Sequence, residues 1–230
     1  MRATPDPARS ADSLLRTMLM AFPGRIAAVS SFGTESAVLL HLLAGIDPAV
    51  PVIFLDTGKL FAETLAYRDA LIQRLGLTDI RVAHPDPVRL AQTDPSGTLW
   101  ASDPDLCCWN RKVEPLEVAL SGFAAWITGR KRLHGGERRG LDMVDAGQDG
   151  RIKVNPLATW SNDDITRYFA AHDLPRHALE AKGYRSVGCI PCTRAVAPGE
   201  APRAGRWAGS SKTECGIHRS LQSAYSGVRA

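Results

Sequence analysis

The chain has 230 residues, of which 44% are hydrophobic and 23% charged, and its formal net charge is +4. That length supports one substantial core, or one core plus a tail. The charge is too small to imply nucleic acid, and no apolar run approaches the length of a membrane span.

The N-terminal stretch SADSLLRTMLMAF (residues 10–22) is interrupted by Asp12 and Arg16 and lacks a small-residue cleavage site. It reads as an amphipathic helix rather than a signal peptide, which makes the cytoplasm the expected compartment. RIAAVS (25–30) is a short apolar strand, SFGTE (31–35) a turn, and SAVLLHLLAG (36–45) a helix ended by Gly45. PVIFLD (51–56) is a second, buried strand. ETLAYRDALIQRLG (63–76) is a helix with Leu65, Leu71, Ile72 and Leu75 near one face and Gly76 as its stop, and DIRVAH (79–84) is a third strand. Such alternation implies a parallel sheet covered by helices on both faces. Further on, residues 105–122 read as helical on both sides of Pro115, which should kink or split the helix. FAAWITG (123–129) and RIKVNPL (151–157) are the fourth and fifth strands, and Ser161 with Asp164 forms a capping-box variant ahead of another helix. The last thirty or so residues are rich in Gly, Ala, Pro and Ser, so the expected organisation is one α/β domain over 1–200 and a flexible arm over 201–230.

In an open parallel sheet, ligands bind beyond the carboxyl ends of the strands. After the first strand, SSFGTES (30–36) offers hydroxyls, a glycine and a helix N-terminus, a natural seat for phosphate, although no Gly-Lys-Ser/Thr follows as in a Walker A loop. After the second, LDTG (55–58) places Asp56 to reach a sugar, a metal or an adenine edge. After the fourth comes a glycine-punctuated basic run, GRKRLHGGERRG (129–140), with Arg130, Lys131, Arg132, Arg138 and Arg139. Each signal alone has a bland reading as a turn or a solvated surface. Together, at successive strand ends, they favour a nucleotide or phosphorylated ligand.

Five cysteines, an odd number, argue against a disulfide framework and for metal ligands, a reactive thiol, or both. Four fall in pairs, Cys107 with Cys108 and Cys189 with Cys192. This set suits tetrahedral zinc or an iron–sulfur cluster, with buried structural thiols as the remaining reading. Adjacent side chains on a helix diverge by about 100°, so neighbouring thiolates reach one zinc awkwardly and span a larger 4Fe–4S cubane more easily. Lys112, four residues after Cys108, would share its helical face and offset thiolate charge; otherwise it is solvated. The fifth, Cys215, stands alone in KTECGIH (212–218), with His218 three residues on to lower its pKa or move a proton.

Taken in order, SSFGTES, LDTG, CCWNRKVEPL, ITGRKR, GCIPCTR, RAGRW and KTECGIH cover nearly the whole chain. They resemble the assimilatory sulfonucleotide reductases, and the two cysteine pairs resemble the adenylyl-sulfate (APS) branch rather than the 3′-phosphoadenylyl-sulfate (PAPS) branch. The resemblance implies an adenine nucleotide alpha hydrolase-like fold of the ATP pyrophosphatase type and a 4Fe–4S cluster on Cys107, Cys108, Cys189 and Cys192. It implies a catalytic Cys215 on a mobile C-terminal segment. Ser30, Ser31, Gly33, Ser36 and Asp56 would meet the nucleotide, and Lys131, Arg132, Arg203 and Arg206 the phosphosulfate. The implied reaction takes APS and a reduced thioredoxin, or a glutaredoxin-like reductant, to sulfite and AMP through an S-sulfocysteine, with no nucleic acid or membrane partner; a homo-oligomer is left open. The rivals are a PAPS reductase, an ATP-dependent thiolation enzyme of the same superfold, and a zinc-binding nucleic-acid module. The first turn lacks the Ser-Gly-Gly-x-Asp-Ser pattern of the thiolation enzymes, and the zinc module leaves LDTG and Cys215 without a use.

Overall fold

All five strands expected from the sequence form. In the computed structural model, which describes residues 6–147, 149–210 and 212–218, they join a sheet with the order β3-β2-β1-β4-β6-β5. Its members are β1 (Ile26–Ser30), β2 (Val52–Leu55), β3 (Ile80–Ala83), β4 (Ala125–Thr128), β5 (Val144–Ala146) and β6 (Ile152–Val154). Every pairing is parallel except that of β5 with β6. The unexpected strand is β5: three exposed residues at the sheet edge, with no apolar alternation to announce it.

Alternate side chains divide between two cores, as the two-residue period of a strand requires. Ile26, Ala28, Val52, Phe54, Ala125 and Ile127 face the larger core, against α1 (Pro7–Ala21), α2 (Ser36–Ala44), α3 (Ala62–Leu75) and, further along the chain, α8 (Asn162–Ala171). Ala27, Ile53, Leu55 and Trp126 face a smaller core closed by Leu116 and Leu120. α1 starts where Asp6 accepts the Ala8 N–H ahead of Pro7, and it buries Ala11, Leu15 and Met18 along one stripe. α3 ends at Gly76 in the left-handed conformation as expected, although its fully packed face is Thr64, Tyr67 and Leu71. The Ser161–Asp164 capping box of α8 is present.

Between β3 and β4 run α4 (Pro87–Thr93), α5 (Leu99–Ser102), α6 (Pro104–Cys108) and α7 (Glu114–Ala119). The break expected at Pro115 falls earlier, as a π-helical turn over Trp109–Val113 that joins α6 to α7. Pro115 has no N–H to return to the preceding turn, and the surplus residue of a π-turn takes up the mismatch. No helix of the described residues is long and apolar enough to cross a membrane.

Candidate active site

β1 pairs with β2 on one side and β4 on the other, so the chain direction across the sheet reverses between β1 and β4. Such a switch point opens a crevice beyond the strand ends, and a pocket of the described residues lies there. Ser30, Ser31, Gly33 and Ser36 line it from the first strand end, and Arg130 and Lys131 from the fourth. The seat is held in a demanding conformation. Phe32 has φ 46°, rare for a bulky residue, and its ring is fully buried edge-on against Phe54 at 5.4 Å. Thr34 donates to the Arg185 carbonyl at 3.1 Å, tying the turn to the loop that leads to Cys189.

Lys131 is 2% exposed and pairs with Glu35 at 2.7 Å; a cation this buried would cost about 3–5 kcal/mol if left without its partner. Burial alone would raise the Glu35 carboxyl, but the hydrogen bond from His134 and the charge of Lys131 outweigh it and hold the pKa at about 2. Arg138, Arg203 and Arg206 line the same pocket. Burial, reinforced by Arg138, lowers the Arg203 pKa to about 10. Arg206 donates to the Val187 carbonyl at 3.2 Å and crosses Gly188 so closely that a Cβ there would lie 2.3 Å from its guanidinium.

Two expected contacts are not brought to this lining. Asp56 accepts the Gly58 N–H at 3.0 Å in its own turn. Arg132 turns away to donate to the Leu141 carbonyl at 2.6 Å and faces Asp142. Arg138 and Arg185 line the pocket where sequence reasoning did not assign them. Arg138 belonged to the quoted basic run; Arg185 had no local signal.

The described part of the arm folds back over the pocket. Thr193 bridges to Arg206, Ile217 packs on the smaller core, and His218 stacks on Trp126 at 5.6 Å and 5°. Glu214 is clamped by Arg138, through its Nε and, at 2.9 Å, its Nη2, and lies 3.5 Å from Arg203. Cys215 thereby lines the pocket. A hydrogen bond from Cys108 holds its thiol well below the usual range against the effect of burial, helped by Lys112, the Ile217 N–H and Lys212. His218 contributes no charge: burial, then the nearby Arg130, Arg138, Lys153 and Arg203, keep its imidazole neutral.

Behind the pocket, Cys107, Cys108, Cys189 and Cys192 line one small cavity together with Lys59, Arg111 and Lys112. Lys112 and Trp207 line both cavities. Burial pushes the Cys107 thiol up to about 11, and burial with the neighbouring Cys189 raises Cys192. Burial would lower Lys112, but Cys189, Cys215 and Cys108 outweigh it and raise its pKa. Arg111 ties the assembly together by donating to the Thr57 carbonyl at 2.9 Å and to Asp94 at 2.6 Å, while the Thr57 hydroxyl lies 3.3 Å from the Cys189 sulfur. Among the described residues, no three His, Cys, Asp or Glu side chains are gathered as ligands of a single metal ion. Four thiols around one cation-lined cavity are a donor set suited to a larger thiolate-bound group.

The fold is that of the nucleotide alpha hydrolase-like α/β proteins, with a strand-end pocket lined by cations and one cysteine. The family profile described as "Phosphoadenosine phosphosulfate reductase domain" matches residues 25–195, and the chain belongs to that family. It is 55% identical over 86% of its length to the adenosine 5′-phosphosulfate reductase of Mesorhizobium japonicum, covering 78% of that protein. It is 42% identical over 89% of its length to the enzyme of that name from Streptomyces coelicolor, covering 86% of it. Among solved structures it resembles a phosphoadenylyl-sulfate reductase from Candida auris in complex with phosphate (TM-score 0.69, 26% identity, 81% of this chain and 90% of that one). The fold alone is shared with an FMN adenylyltransferase from Candida glabrata (TM-score 0.62, 17% identity, 85% of this chain and 68% of that one).

Proposed function

We propose that the chain is an adenylyl-sulfate reductase, converting APS to sulfite and AMP with a thioredoxin or glutaredoxin-like dithiol. The observation that carries this reading is the position of Cys215, which lines the same pocket as the residue 30–36 turn and the cations Lys131, Arg138, Arg203 and Arg206. The turn seats the nucleotide, and the cations meet the phosphosulfate. The Cys215 thiolate attacks the sulfur of APS, the sulfur–oxygen bond to the phosphate breaks, and AMP leaves with the electron pair. The guanidiniums stabilise the charge that builds on it. The product on the enzyme is an S-sulfocysteine. A thiolate of the reductant then attacks the Cys215 sulfur, sulfite departs with the bonding pair, and the reductant's second thiol resolves the mixed disulfide. Cys215 faces the substrate pocket, so this second half-reaction assigns movement to the described segment that carries it, residues 212–218; the rest of the expected arm, 219–230, lies outside the described residues. Five free thiols suit the reducing cytoplasm.

Cys107, Cys108, Cys189 and Cys192 are assigned to hold a 4Fe–4S cluster. Bound there, it would tie α6 to the 189–192 loop and present an anionic centre that keeps Lys112 protonated. With Cys108 engaged as a ligand, the Cys215 thiolate relies on Lys112, Lys212 and the Ile217 N–H. His218 is neutral, and its Nδ1 is buried without a hydrogen-bond partner among the described residues; burial and the surrounding cations oppose its protonation, so it offers the Cys215 thiolate no charge.

The direct test is a single turnover. Wild-type protein given APS and no reductant should gain about 80 Da, the mass of a transferred SO₃, in covalent catalysis. Peptide mapping should place the adduct on Cys215, and reduced thioredoxin should release it as sulfite. An unmodified Cys215 after AMP has formed would overturn the mechanism. The same reading predicts a higher kcat/KM for APS than for PAPS, since the relatives at 55% and 42% identity bear the APS reductase name. Comparable constants for the two nucleotides would refute that preference.

A further inference from the structure

His134 has no evident use in the sequence, and the structure gives it two partners. Arg138 Nη1 lies 3.1 Å from His134 Nδ1, and His134 Nε2 lies 3.4 Å from Glu35 Oε2. A guanidinium only donates, so Nδ1 is the acceptor and Nε2 carries the proton that faces the carboxylate. Glu35 belongs to the nucleotide seat and holds Lys131. Arg138 in turn grips Glu214, the residue before Cys215, and Glu214 also faces Arg203. The result is an unbroken polar chain, Lys131–Glu35–His134–Arg138–Glu214–Arg203, running from the strand-end seat to the arm. The loop is built for it. Gly135 has φ 68° and ψ −165°, a region open essentially to glycine alone, and Gly136 has φ 57°. This double reversal lets the side chains of residues 134 and 138 meet.

We infer that His134 is a positioning residue, which through Arg138 and Glu214 fastens the arm to the nucleotide seat and so places Cys215 in the pocket. The inference rests on the functional reading above only in assigning Cys215 its chemistry; the docking itself is a matter of the polar chain. Glutamine can reproduce both contacts of His134, accepting from Arg138 and donating to Glu35, whereas alanine reproduces neither. Severing a chain of charge-assisted hydrogen bonds should shift the docking equilibrium by about tenfold or more.

The test is the rate at which N-ethylmaleimide labels Cys215 in the holoprotein at fixed pH, read by mass spectrometry of the residue 215 peptide. His134→Ala should label about tenfold faster than wild type, and His134→Gln within about twofold of it, on the same energetic scale. Glu214→Gln keeps the side-chain volume and cuts the chain at a second point, so it too should label faster. The double variant His134→Ala/Glu214→Gln should be no faster than the faster single one, because both break one linkage. With APS, His134→Ala should lose kcat while KM stays close to wild type, and glutamine should restore it. Unchanged labelling in both His134→Ala and Glu214→Gln, failure of glutamine to rescue, or additive effects in the double variant would each overturn the inference. Labelling needs neither APS nor reductant, so a chain inactive on APS would defeat the functional reading and leave this result to stand on its own.

Discussion

Cys215→Ser is expected to abolish sulfite formation while leaving the four other thiols and whatever they bind in place. A hydroxyl has the shape of the thiol but is a far weaker nucleophile at neutral pH, and removing a nucleophile costs several orders of magnitude in kcat. The proposed nucleotide seat does not include residue 215: Ser30, Ser31, Gly33 and Ser36 are presented by β1, the turn after it and the start of α2. APS and AMP should therefore bind the serine variant with near wild-type affinity, measured by calorimetry. The competing idea is that electrons reach the substrate sulfur without a covalent enzyme intermediate. It predicts turnover in the variant and no mass adduct in the wild type. A serine variant that retains even a tenth of wild-type activity would sink the nucleophile assignment.

Substitution of Cys107, Cys108, Cys189 or Cys192 should have the opposite signature, a bleached protein that has lost its iron. Anaerobically purified wild type should contain about four irons and four acid-labile sulfides per chain, as a four-cysteine cubane requires. The pairs sit on separate pieces of chain, α6 and the 189–192 loop, joined through a third: the 57–60 segment touches Cys189 by the Leu60 bridge and the Thr57 hydroxyl, and its Thr57 carbonyl accepts from Arg111, just beyond α6. Loss of the shared group should loosen that junction, so each variant should also melt lower than wild type, whereas Cys215→Ser should not. One zinc per chain with no sulfide would remove the cluster from the account.

The sequence was informative wherever a physical constraint acts on neighbours in the chain. β1, β2 and β4 are buried on both faces, so their apolar runs are legible, as are the Ser161 cap and the stop at Gly76. The cysteine pairs and the residue 30–36 turn are likewise compact in sequence. What escaped was decided over distance. Arg132 and Arg138 lie in one basic run, but the Leu141 carbonyl captures the first and Glu214, 76 residues away, the second. No composition rule tells these two apart. Glu35 and Glu214 are the counter-ions of the pocket cations, and only the fold shows it. His218 was expected to lower the Cys215 pKa or to move a proton; burial, then the cations around it, leave it neutral, so it does not act by charge.

The π-turn over Trp109–Val113 acts as an angular spacer. α7 is fixed by its packing of Leu116 and Leu120 against the sheet, so the helix preceding it inherits a set rotation about their common axis. One residue more or less in an α-helix turns everything beyond it by about 100°. The surplus residue therefore decides which way Cys107 and Cys108 point: a regular α-helix through the same segment would rotate both sulfurs by about 100° relative to Cys189 and Cys192. The wider ring of five residues is the gearing between a structural helix and the pair of thiols it carries.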